Sequence, residues 1–159
     1  MSKTKHEQSK GKDKGKSCAH CKPGPEFYRM VFDLYKFDVD LARKIVSDGR
    51  DSFELSREDV DHSLNWSRID KSHIEHVSLE FPGIVAYYWH PEPDGSYIMG
   101  SVLIDGHHRA AKAKQTDVPF FVHVLNEEES RAVTMRSPTH QTLLEFSKNR
   151  KRKADRYGR

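Results

Sequence analysis

The sequence predicts a single α+β domain, a small mixed sheet with helices around it. Three observations carry that reading. Gly83-Ile-Val-Ala-Tyr-Tyr-Trp89 is a strongly apolar strand, and the turn chemistry of Pro91-Glu-Pro-Asp-Gly95 folds Tyr97 to Ile104 back on it as an antiparallel partner. Apolar residues at 41, 42, 45 and 46 form a helical stripe, so strands alternate with helices. The chain of 159 residues suffices for one domain of this kind and is too short for two full-sized ones.

In chain order, order begins at Glu26, and Tyr28 to Tyr35 reads as one strand rich in aromatic and β-branched residues. The helix Asp38 to Val46 is capped by Gly49. Phe53-Glu-Leu55 is a short strand. Ser56-Arg-Glu-Asp59 opens a helix in the manner of a capping box and carries it to about Leu64. Ile69 to Val77 is a further short helix. After the central hairpin, Gly106 starts an Ala-rich helix. Pro119 to Leu125 reads as the final strand. Asn126 caps a helix beginning Glu127-Glu-Glu, whose carboxylates sit at its positive end. The last helix runs from Thr139 to about Lys148, docked through Leu143, Leu144 and Phe146.

Charge divides the chain into three parts. Residues 1–22 hold 7 Lys/Arg and 2 Asp/Glu, and residues 147–159 hold 7 and 1. The stretch between them holds 13 and 21. An acidic domain, residues 26–146, thus lies between a disordered basic tail, residues 1–25, and a basic C-terminal tail, residues 147–159, which frays by like-charge repulsion beyond Arg150. No run of about 18 apolar residues is present to span a membrane. The N-terminus lacks the apolar stretch of a signal peptide, so a cytoplasmic protein is expected. Cys18-Ala-His-Cys21 is half of a zinc site; with only His6 and His20 nearby to complete it, the reading taken is two reduced thiols.

The chemistry concentrates at Val102-Leu-Ile-Asp-Gly-His-His-Arg109. A buried strand ends, a glycine turns the chain, and a helix starts at once. Its free N–H groups and dipole favour an anion. Arg109 can clamp phosphate oxygens, two imidazoles stand in the same turn, and Asp105 suits a Mg²⁺ bridging to phosphate. The competing reading makes Asp105 a helix cap and leaves His107, His108 and Arg109 on a solvated face. Of the remaining aromatic residues, Trp66 and Trp89 read as core anchors. His73 and His76 read as one face of a surface helix, and His90 and His123 as structural.

Asp105-Gly-His-His-Arg109, the Ala-rich helix after it and Val118-Pro119-Phe-Phe-Val resemble the ParB/sulfiredoxin-like superfamily, often called ParB-like nuclease domains, over about residues 50–135. Sulfiredoxins carry G-C-H-R at this turn, ParB proteins G-E-R-R and free serine kinases D-G-T-H-R; this chain is most similar to the last. The resemblance implies nucleotide binding (ATP, ADP or CTP) with Mg²⁺, as an Mg-dependent phosphotransferase or nucleotide hydrolase. Gly106, His107, His108 and Arg109 would hold the phosphates. Asp105 would be the metal ligand, and Glu58, with Asp105 and His108, would be catalytic, Glu58 accepting the proton. Asp59, one residue on, could take the place of Glu58. His107 stands where sulfiredoxins have their cysteine, which excludes sulfinic acid repair. Only 24 residues follow Met135, too few for the DNA-reading and dimerisation parts of a full partition protein. The alternative is a DNA-binding ParB-like nuclease or partition-type module that contacts nucleic acid through its basic tails.

Overall fold

The computed structural model describes residues 24–157. Among them the elements run β1 (Phe27–Met30), β2 (Tyr35–Asp38), α1 (Val39–Val46), β3 (Phe53–Leu55), α2 (Arg57–Asn65) and α3 (Lys71–Ile74). They continue β4 (Gly83–Pro91), β5 (Tyr97–Asp105), α4 (His107–Gln115), β6 (Phe120–Val124), α5 (Glu127–Val133), β7 (Thr134–Arg136) and α6 (His140–Tyr157). The fold is α+β, as expected. A four-stranded sheet has the order β3-β6-β4-β5, with β4 and β6 parallel and the other pairs antiparallel. A three-stranded antiparallel sheet has the order β1-β2-β7.

The pleat of β4 and β5 sends alternate residues to opposite faces, and both faces are covered. Ile84, Ala86 and Ile104 pack with Tyr35, Phe37, Ala42, Leu125 and Val133 on one side. Val85 and Leu103 pack with Val60, Ala110, Ala113, Phe120 and Val122 on the other. The small sheet, α1 and α5 therefore cover one face, and α2 and α4 the other. The β5–α4 junction lies between these two layers, at one end of a doubly buried strand.

The helix N-caps agree with the sequence, while α1 ends on Ser47, whose N–H bonds the Lys44 carbonyl, two residues before the Gly49 expected to cap it. Asp38, Ser56 and Asn126 accept from the N–H groups of Leu41, Asp59 and Glu129, and Asn126 with Glu129 forms a full capping box.

Four expectations are corrected. Residues 28–35 fold as the β1–β2 hairpin instead of one strand. Val31, Phe32 and Asp33 take φ of 52°, 51° and 69°, and the Leu34 N–H closes the turn on the Val31 carbonyl at 3.0 Å. Folding back pairs Tyr28 with Phe37 and Met30 with Tyr35, satisfying backbone groups that one long strand would leave open. Second, β6 is not the last strand, because β7 pairs with β2. Third, the helix expected over Ile69 to Val77 is only Lys71–Ile74. Fourth, α6 runs on to Tyr157 instead of ending near Lys148. No Gly or Pro interrupts it, and Lys, Arg and Ala are strong helix formers that outweigh the repulsion between cations. Of its expected docking residues, Leu143 and Phe146 are half-buried, and Leu144 is exposed. Nearly all of the N-terminal tail, with the Cys18/Cys21 pair, lies outside the described residues.

Candidate functional site

Asp105 ends β5 and Gly106 turns the chain into α4 with φ 101°. Only glycine fits there. A Cβ on Gly106 would stand 2.9 Å from Gly83 Cα, and one on Gly83 would stand 2.8 Å from the Asp105 carbonyl oxygen. The two glycines let β4 and the β5–α4 turn touch backbone to backbone, which fixes where α4 begins.

The Asp105 carboxylate is buried and faces two guanidinium groups. Arg43 of α1 donates from Nε to Oδ2 at 2.9 Å and from Nη2 to Oδ1 at 3.0 Å. Arg109 Nη2 lies 3.2 Å from Oδ2, an ion pair whose N–H is not aligned for a hydrogen bond. Burial pushes the Asp105 carboxyl up, but the Arg43 hydrogen bonds and both cationic charges outweigh it and hold it below its ordinary value. Arg43 also reaches Glu26 at 2.6 Å. With both oxygens against guanidinium groups, Asp105 does not fit the magnesium ligand expected of it: two fixed cations oppose a third. Among the described residues no group of three His, Cys, Asp or Glu side chains is placed to hold a metal ion. Asp105 instead orients arginines.

Arg109 is the residue at the floor. Its side chain is 16% exposed, and its Nε and Nη2 are buried without a hydrogen-bond partner. His107 stacks on Tyr28 of β1, ring centres 4.9 Å apart and 20° between planes. Burial lowers its pKa to about 4, against the pull of Asp105 and with help from His108, so it is neutral at physiological pH. His108 Nε2 accepts the Asp70 backbone N–H at 3.1 Å. Its ring also meets His73 edge to face at 4.7 Å. His73 is thus part of the site and not simply of a surface helix.

These groups line a cavity of about 620 Å³. Its wall carries four arginines, Arg29, Arg43, Arg68 and Arg109, with His73, His107 and His108, against the carboxylates of Glu26 and Asp105. Trp66, read from sequence as a core anchor, caps the end of α2 and is 77% exposed. It stands on the rim of this cavity and of a second one of about 660 Å³ lined largely by apolar residues. Trp89 is the structural one: the Arg131 guanidinium packs 3.8 Å above its ring. His90 is structural as well, its Nδ1 2.6 Å from the Tyr35 hydroxyl.

The turn residues Asp105 to Arg109 therefore gather at one cavity, and Glu58 does not. Glu58 is exposed on α2, on the side away from the buried Val60, and lines neither cavity. Asp59 lines the second cavity. Sequence reasoning missed Arg29, Arg43 and Arg68, which arrive from β1, α1 and the loop after α2. Arg43 stands on α1 beside the apolar stripe, and no local signal shows that it would reach Asp105 from 62 residues away.

In comparisons with known proteins, no family model, curated protein or solved structure matches this chain. The resemblance of the Asp105–Arg109 turn to the ParB/sulfiredoxin-like superfamily thus stands on its motif and setting. No helix among the described residues is long and apolar enough to cross a membrane.

Proposed function

We propose that the domain binds a nucleotide through its phosphates in the cavity at the start of α4. The observation that carries this reading is Arg109. A buried guanidinium with two unfilled donor atoms is costly, and a phosphate oxygen accepting from Nε and Nη2 would satisfy both at once. The free N–H groups of the first turn of α4 face the same anion. Arg68, with no ion-pair partner among the described residues, adds unneutralised positive charge at the rim.

The positive field comes from guanidinium groups and the helix start, and the buried His107 is neutral. Trp66 offers an exposed indole at the cavity mouth, where a base can stack. The reading is one of binding: Glu58 does not line the cavity, and Asp105 is committed to Arg43 and Arg109.

Calorimetric titration with ATP, ADP and CTP, with and without Mg²⁺, tests it. Arg109→Ala should weaken binding by about 1.5–3 kcal/mol, the scale of a hydrogen bond to a charged group. Affinity unchanged in that variant would remove the turn from the site, and the absence of binding by all three nucleotides would end the proposal.

A further inference from the structure

The C-terminal half of α6 presents a face with a cationic excess, on which Lys148, Lys151, Arg152 and Arg156 stand against the one carboxylate of Asp155. Among the described residues, α6 is tied to the body on one side: His140 meets Tyr97 at 5.1 Å, Phe146 meets Phe32 at 5.6 Å, and Arg150 lies 5.5 Å from the Phe32 ring. A 100° step per residue puts Phe146 and Arg150 on one face. Lys148, Arg152 and Arg156, spaced by four, then fall in a row on the opposite face, with Lys151 beside it. All four are exposed, and none has an ion-pair partner among the described residues. Like charges at this spacing oppose helix formation, so the row is poised for a polyanion that would relieve the repulsion.

We infer that this row is a contact surface for the phosphate backbone of duplex DNA, separate from the nucleotide cavity. The row spans about 12 Å along the helix, a length over which a duplex presents about seven phosphate charges. A single helix also fits the width of the major groove. From residue 147 to 156 the helix has no large apolar side chain, so it lacks the apolar face with which an amphipathic helix enters a lipid surface. Contacts of this kind follow the backbone and are blind to sequence.

The test is a titration of the full chain onto a short random duplex, read by fluorescence anisotropy at several salt concentrations. Four phosphate contacts give a log–log slope of about −3.6, a loss of about 150-fold in affinity between about 50 and 200 mM salt. The combined variant Lys148→Ala, Lys151→Ala, Arg152→Ala and Arg156→Ala should lose that share of the slope. The charge-conserving set Lys148→Arg, Lys151→Arg, Arg152→Lys and Arg156→Lys should keep it, and circular dichroism should show both sets folded. Arg109→Ala should bind the duplex like the wild type. An unchanged slope in the alanine set would overturn the inference, as would no duplex binding at low salt, loss of it in Arg109→Ala, or binding only to anionic lipid vesicles.

Discussion

His107→Phe should make the domain markedly less sensitive to mild acid. In the folded protein the imidazole is packed against Tyr28 and its pKa is lowered to about 4, while in the unfolded chain it returns to about 6.5. Between those values the unfolded state binds a proton that the folded state refuses. Stability therefore falls as pH drops from about 6.5 toward 4, and the loss levels off below the folded value. A shift of about 2.5 units corresponds to about 3 kcal/mol at pH 4, a large part of the 5–15 kcal/mol that holds a small domain together. Phenylalanine keeps an aromatic ring on Tyr28 and takes no proton. Its larger ring can cost about 1 kcal/mol in packing at every pH, so the absolute stability at pH 7 is not the quantity to compare.

The quantity is the slope. Urea unfolding of both proteins at pH 7, 6, 5 and 4 should give curves that converge or cross as pH falls, with the difference moving by about 2–3 kcal/mol in favour of the variant. Asp105 does not confuse the window. Its carboxyl is held below the ordinary value, so its contribution is present above about pH 4 and lost below that, equally in both proteins. Parallel curves would refute the reasoning. They would mean that His107 takes its proton in the folded state, and the cavity would then carry an additional cation beside its arginines.

Arg43→Ala leaves the buried Asp105 with Arg109 alone. Because the Arg43 side chain is itself 43% exposed, the cost in urea unfolding at pH 7 should be about 2 kcal/mol and not the full 3–5 of a buried pair, shrinking below about pH 4 as Asp105 takes a proton. Trp66→Ala should weaken nucleotide binding by about 1–3 kcal/mol and leave inorganic pyrophosphate unaffected in the same calorimetric assay, because only the nucleotide has a base to stack.

What the sequence disclosed was local. The β4–β5 hairpin is legible because two apolar runs flank Pro and Gly, and the start of α4 because Gly106 follows a buried strand at once. The break at Val31 to Asp33 is not legible, since only Asp33 tolerates a left-handed conformation and the β-branched Val31 and the aromatic Phe32 do not favour one; tertiary pairing of Tyr35 and Phe37 into the core overrides local preference there. The same limit applies to the site. Asp105, Gly106, His107, His108 and Arg109 were found together because they are consecutive. Arg43, Arg68 and Trp66 were not, because their place at the cavity depends on contacts made across the whole fold.

That difference changes what Asp105 means. Read along the chain, an aspartate beside a glycine turn and an arginine suggests a metal ligand facing phosphate. Read in space, the same carboxylate is the anion between two guanidinium groups from different elements, and it holds one of them bidentately. A carboxylate so placed holds Arg109 near the start of α4 without meeting all of its donors, since Nε and Nη2 remain unsatisfied. An arginine pinned by charge but short of hydrogen bonds loses little side-chain entropy when an anion arrives, and the donors still open are the ones that anion can fill. Asp105 would then contribute to affinity by preorganising Arg109, without contact between its own oxygens and the phosphate.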